Sequence, residues 1–193
     1  DVVMYSATKH IDGQGRVLGG AILGTRDYIK NSVIPFTRHT GQSMSAFNAW
    51  VMLKSLETLN MRVKQMSDSA HFIAEQLSSH ELVERVYYPF LESHPGSELA
   101  RSQMIGGGST LAIALKGGKE QAFNLLDRLE VIDISNNLGD SKTLMTHPAS
   151  TTHKSLGPEA MKEMGIGENM LRLSVGLEHP DDLVQDLILA LER

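Results

Sequence analysis

Cysteine is absent from this sequence. Its absence excludes a disulfide framework, a thiolate zinc site and a cysteine nucleophile, and it is compatible with a reducing compartment. Also missing is any apolar run of roughly 18 residues, the length a membrane-spanning helix requires. No basic-then-apolar amino terminus of the signal-peptide kind occurs either. The expectation is a soluble, cytoplasmic protein without a membrane partner. Basic clusters are lacking too. Lys and Arg number 18 against 23 Asp and Glu, a formal net charge of -5, so little is available to displace counterions from phosphates and nucleic acid is not an expected partner. G-x-S-x-G, H-E-x-x-H and G-x-x-x-x-G-K-[ST] are all absent, which removes the defining residues of α/β-hydrolase, zincin and P-loop chemistry.

What is present is ordinary globular composition, 41% apolar and 21% charged, which excludes a disordered tail or a low-complexity array. With 193 residues the chain can bury a core without staples, as one large domain or two small ones. It opens on Asp1-Val2-Val3-Met4-Tyr5, an apolar strand-like run that reads as though cut from the middle of something longer.

The patterning predicts a short buried strand over Val2 to Tyr5 and a second over Val17 to Leu23, with close backbone approach at Gly19 and Gly20. A polar, glycine-bearing loop from Ser6 to Arg16 joins them. After a turn near Pro35, helical spacing begins at about Ser43. Met44, Phe47, Val51, Trp50, Leu53 and Leu56 make this helix apolar over most of its surface and predict deep packing. Val63, Met66, Ala70, Ile73 and Leu77 form the narrower stripe of an amphipathic helix. Further strands are expected at Val83 to Tyr87, Thr110 to Leu115, Val131 to Ile134 and Leu171 to Val175, with helices at Glu120 to Leu129 and from Pro180. The last strand alternates cleanly, placing Arg172 and Ser174 opposite Leu171, Leu173 and Val175. A boundary near residue 60 would separate 1–60, the tail of an α/β domain, from 61–193, a compact α+β domain.

Several groups invite chemistry. Gly106-Gly107-Gly108 runs into a strand, so it reads as a turn more readily than as a phosphate cradle. His147 and His153 have no cysteine and no nearby acid to complete a metal site, which favours structural roles. Lys9 follows a strand and two hydroxyls, Ser6 and Thr8. An amine drawn out of water there could form a Schiff base with an aldehyde cofactor while the hydroxyls bind its phosphate; a solvated surface lysine fits the same spacing. Arg172 could present a bidentate fork to a carboxylate, or sit on the strand surface paired with an acid such as Glu178.

Four segments together carry a resemblance: Val3-Met4-Tyr5-Ser6-Ala7-Thr8-Lys9-His10, Val17-Leu18-Gly19-Gly20, His147-Pro148-Ala149-Ser150-Thr151-Thr152-His153, and Leu171-Arg172-Leu173-Ser174-Val175-Gly176-Leu177-Glu178. In this order they closely resemble the Cys/Met-metabolism family of pyridoxal-phosphate enzymes, over essentially the whole chain. The resemblance implies the α/β fold of fold-type I PLP-dependent transferases (aspartate-aminotransferase-like), with the end of the large domain followed by the α+β C-terminal domain. It makes Lys9 the lysine that holds pyridoxal 5'-phosphate, Ser6 and Thr8 its phosphate contacts, and Arg172 the receiver of the substrate α-carboxylate. Ser135-Asn136-Asn137-Leu138-Gly139-Asp140 is similar to the homoserine-ester sulfhydrylase branch. Asn137 then occupies the position from which the family's serine helps place the substrate carboxylate, and its side chain could hydrogen-bond there, although a turn asparagine with local bonds is the other reading.

The implied reaction is replacement at Cγ of an O-acylhomoserine, O-succinylhomoserine foremost, by sulfide to give homocysteine for methionine biosynthesis. Cystathionine γ-synthase chemistry or γ-elimination is the alternative. The implied assembly is a homotetramer of dimers. Family members carry a long amino-terminal half that supplies the acidic partner of the pyridine nitrogen, an aromatic residue stacked on the ring and a Gly-rich phosphate loop. None of these is located in this sequence, so a non-catalytic carboxy-terminal portion stands as the competing expectation.

Overall fold

A computed structural model describes residues 1–193, which divide into two compact units, Asp1–Asn60 and Met61–Arg193. In the first, β1 (Val2–Ser6) and β2 (Gly20–Gly24) pair antiparallel, Val3 opposite Leu23 and Tyr5 opposite Ala21. The expected buried strand is a strand, but it is not buried: Met4 is 85% exposed, because within this unit β1 has only β2 beside it in a two-stranded ribbon. β2 starts three residues later than the periodicity suggested, and buried Val17 belongs to the preceding loop. The tight approach at Gly19 is present, since a Cβ there would run into the Met52 methyl carbon.

Pro35 marks no turn. It occupies the first turn of α2 (Ile34–Thr40), which continues α1 (Arg26–Tyr28) through a π-helical stretch at Ile29–Val33. Proline has no N–H to donate, and it is tolerated inside this continuous helical run where the π-helical turn just before it departs from the α-helical hydrogen-bond ladder. Gly41, at φ 75°, ends α2 in the left-handed conformation. Helix α3 (Ala46–Leu56) begins where the Ser45 hydroxyl accepts the Asn48 N–H at 3.1 Å. The expectation of deep packing fails here. Only Val51, Met52 and Ser55 are buried, while Phe47 is 66% and Leu53 62% exposed.

All but the first two residues of α4 (Leu59–Ser78) belong to the second unit, and its Met66, Ala70, Ile73 and Leu77 are buried as the stripe predicts. Then come β3 (Val83–Tyr87), α5 (Ser97–Gln103), β4 (Thr110–Leu115), α6 (Lys119–Arg128), β5 (Asp133–Ile134), β6 (Leu144–Thr146), α7 (Gly157–Glu163), β7 (Met170–Ser174) and α8 (Pro180–Glu192). The strands form one sheet in the order β3-β4-β7-β6-β5, antiparallel except for β5 beside β6.

One face of this sheet builds the core. Leu111, Ile113, Leu171, Leu173 and Met145 pack with Ala70, Ile73 and Leu77 of α4, Ala122 and Leu125 of α6, and Leu183 and Leu187 of α8. Each fully buried leucine contributes roughly 2 kcal/mol of transfer free energy. α8 starts with Pro180 at its first position and Asp181 and Asp182 in the first turn, where the helix dipole favours carboxylates.

The strand expected over Val131 to Ile134 shortens to Asp133–Ile134. The buried Asp186 carboxylate of α8 accepts the N–H groups of Glu130, Val131 and Ile132 at 2.9, 3.1 and 3.0 Å, donors a longer strand would give to a neighbour. β6 has no counterpart among the expected strands. Its three residues, all buried, lie beside β7 in the sheet and are too short for an alternation to register.

Candidate functional site

Each unit carries one group of the residues singled out in the sequence. In the first, the chain leaves β1 at Ser6 and folds back at once. Lys9 N–H donates to Ser6 O at 3.1 Å, Asp12 N–H to Ala7 O at 2.9 Å and Gly13 N–H to Lys9 O at 2.7 Å. Gly13 and Gly15 sit at φ 71° and 62°, the left-handed region this tight return demands. The Asp12 carboxylate, buried, accepts from Arg16 N at 2.5 Å, Arg16 Nε at 2.9 Å and Val17 N at 3.3 Å. Arg16 then spans to α3, donating to Ser55 Oγ at 2.6 Å. The far side of the loop is closed by Thr8, whose hydroxyl accepts from Gly19 N at 3.1 Å and donates to Gly19 O at 3.4 Å. Lys9 is therefore half-buried on a loop held at both ends. Nothing in the residue spacing marks Asp12 and Arg16 as its staples. An acid four residues before an arginine is an ordinary surface pair until one partner is buried.

The chemistry of this turn suits a phosphorylated aldehyde. Lys9 supplies a primary amine; Ser6, exposed at the end of β1, and Thr8 supply hydroxyl donors one residue to either side of Ala7. The Thr8 proton is committed only to the long contact with Gly19 O, which a phosphate oxygen could replace.

In the second unit, Arg172 and Asn137 come together. Antiparallel pairing puts Arg172 opposite Ala112 on β4 and Thr146 on β6. Its guanidinium donates to two backbone carbonyls, Asn136 O and Asn137 O, both at 2.9 Å. Its Nε is buried and has no acceptor. Burial pulls this guanidinium below the usual arginine range. Glu178, the acid weighed as its partner, is engaged elsewhere, accepting from Thr143 N at 2.8 Å and Thr143 Oγ1 at 2.7 Å. Arg172 is thus a half-buried cation with no carboxylate beside it and an unused donor, the state expected of a group that waits for an anionic ligand. Asn137 brings its carbonyl to Arg172 and its N–H to Ser135 Oγ at 3.2 Å.

The remaining candidates have structural partners. His147 is buried, with Nε2 2.8 Å from Glu168 O and Nδ1 2.8 Å from Ser150 Oγ. His153 Nδ1 lies 2.8 Å from Thr152 Oγ1. No three His, Cys, Asp or Glu side chains gather to hold a metal. At the triple glycine, the Tyr88 hydroxyl reaches Gly108 O at 3.0 Å, and a Cβ on Gly107 would lie 2.5 Å from the Tyr88 ring. Those glycines admit an aromatic side chain. No helix is long and apolar enough to cross a membrane.

The family model described as "Cys/Met metabolism PLP-dependent enzyme" matches residues 1–192. An O-succinylhomoserine sulfhydrylase of Mycobacterium tuberculosis is 56% identical over 99% of this chain and 48% of its own length. An L-methionine gamma-lyase of Porphyromonas gingivalis is 40% identical over 97% of this chain and 47% of its own. Among solved structures, cystathionine gamma synthase from Xanthomonas oryzae pv. oryzae superposes with a TM-score of 0.94 at 36% identity, covering 99% of this chain and 49% of that one. The chain spans about half the length of the curated relatives it matches.

Proposed function

Because the chain belongs to the Cys/Met metabolism family of PLP-dependent enzymes, we propose that it is the portion of such an enzyme that holds pyridoxal 5'-phosphate through Lys9 and receives the substrate α-carboxylate at Arg172. The reaction is γ-replacement on O-succinylhomoserine with sulfide, giving homocysteine and succinate. The observation that carries the reading is the half-buried Arg172, held by two backbone carbonyls and with no acceptor at its Nε; similarity to the sulfhydrylase supports this reaction.

When bound, the cofactor supplies an electron sink that makes removal of the substrate Cα proton feasible. Ser6 and Thr8 would donate hydrogen bonds to its phosphate. Lys9 would hold its aldehyde group, and the same Nζ is the base that would accept the Cα proton and return a proton later in the cycle. Arg172 holds the carboxylate through its planar fork, with Asn137 beside it, and so fixes which Cα bond faces the sink. At Cγ the C–O bond breaks, succinate leaves with the bonding pair, and a C–S bond to sulfide forms. The backbone staples at Asp12 and Thr8 keep Lys9 from wandering between these steps.

Replacing Lys9 by Ala in the complete enzyme abolishes turnover and the borohydride-reducible visible absorbance; retention of both overturns the assignment. Arg172→Lys keeps the charge and loses the fork, and raises KM for the amino acid about tenfold. The lyase similarity favours elimination to a 2-oxoacid as the second reading. Assays with O-succinyl- and O-acetylhomoserine, each with sulfide and with cysteine, separate replacement from elimination by the product formed. The proposed assembly is a homotetramer, for which sedimentation gives the direct measurement.

A further inference from the structure

The face of β7 that presents Arg172 also presents hydroxyls whose bonds lead to the same loop. Period two puts Ser174 on the side of Arg172, and the β6–β7 register puts Thr146 directly opposite Arg172. Both are buried, Ser174 at 0% and Thr146 at 1% exposure. Ser174 Oγ accepts the Gly139 N–H at 2.9 Å. Thr146 Oγ1 lies 2.7 Å from Asn136 Oδ1 and 3.0 Å from Thr151 Oγ1, which in turn donates to His147 O at 2.7 Å. Residues 136–139 are therefore tied down at both ends. Between the ties, the carbonyls of Asn136 and Asn137 hold the Arg172 guanidinium.

A guanidinium on a long, rotatable stem is aimed only as well as the acceptors that hold it, and two loop carbonyls aim it only if the loop is itself fixed. We propose that Thr146 and Ser174 are positioning residues for recognition of the substrate carboxylate: they fix the 136–139 loop, whose carbonyls orient Arg172 so that its Nε side stays open to the ligand. This inference rests on the reading of Arg172 as the carboxylate receiver. Neither hydroxyl touches substrate; each acts through the loop.

The test uses the complete holoenzyme in steady-state assays with O-succinylhomoserine and sulfide. Thr146→Val deletes the hydroxyl with little change in shape and raises KM for the amino acid about five- to tenfold, while kcat changes less than about twofold. Thr146→Ser keeps the hydroxyl and restores KM. Ser174→Ala moves KM in the same direction. In a background of Arg172→Lys, Thr146→Val adds nothing further, because the fork it aimed is gone. If Arg172→Lys raises KM and neither Thr146→Val nor Ser174→Ala does, or if Thr146→Ser is as impaired as Thr146→Val, the positioning role is wrong. If Arg172→Lys itself leaves KM unchanged, the carboxylate reading fails and takes this inference with it. For a variant with lowered yield, spectral titration of the folded holoenzyme with an unreactive α-amino acid gives the same comparison as a ratio of dissociation constants.

Discussion

Helices α3 and α4 are separated by two residues, and they treat their apolar side chains in opposite ways. α3 is the more apolar, with Phe47, Trp50, Val51, Met52, Leu53 and Leu56 in eleven residues, yet it buries only Val51, Met52 and Ser55. α4 alternates charge with apolar stripe and buries Met66, Ser69, Ala70, Ile73, Ala74 and Leu77. The same contrast runs through the two units. In the second, a sheet covered by α4, α6 and α8 gathers one continuous core. In the first, the buried set is Ala7, Val17, Val51 and Met52, while Val3, Met4, Leu18 and Phe36 face outward. Hydrophobicity says that a side chain gains from leaving water. Only a facing layer lets it do so.

That contrast can be broken by mutation. The largest effect is expected at the covered face: Leu173→Ala empties a site that is 0% exposed and costs about 3–5 kcal/mol in denaturant unfolding of the chain. Asp186→Ala comes next. It removes the acceptor of three backbone donors, of which the one at Ile132 is buried, and a loss of about 2 kcal/mol is expected, with Asp186→Asn recovering part of it because the amide keeps one acceptor oxygen.

A pH measurement sharpens the same core. Burial, the largest cause, pushes the Tyr88 phenol above its usual range, and its bond with Ser67 opposes that shift. The folded state then holds this proton more tightly than the unfolded chain. Stability from this group is complete below the ordinary tyrosine value of about 10 and declines as pH rises above it. Unfolding midpoints at pH 9 and pH 11 should differ less in Tyr88→Phe than in the parent. The smallest effect belongs to α3, where Phe47→Ala changes stability of the 193-residue chain by less than about 0.5 kcal/mol. A loss near that of Leu173→Ala would mean that another protein surface covers α3, and the contrast would disappear.

Much of this was legible in residue order. Alternation over 171–175 placed Leu171, Leu173 and Val175 in the core and Arg172 on the other side. Spacing by three and four found the buried face of α4. Pro180 followed by two acids marked the start of α8. Illegible were features that depend on a partner far along the chain. β6 is a strand through its bonds to β7, not through its own pattern. The stretch before β5 is not a strand because a carboxylate some 55 residues later takes its donors. Pro35 was misread as a turn because local chemistry does not distinguish a proline carried inside a helix beside a π-helical turn from a break.

At the candidate site the division is the same. Lys9 with its hydroxyls and Arg172 with its strand were identified by residue type and motif, and the family followed from four short segments in order. Their sequence could not say whether Arg172 was already paired with Glu178. Folding answered that by giving Glu178 to Thr143 and leaving Arg172 two carbonyls and an open Nε. The sequence alone determined the chemical groups and the periodicities, since both are local properties of the chain. Which groups are satisfied, which stay open and which apolar faces find a cover depended on contacts across 35 to 56 residues, and only the tertiary structure brings those together.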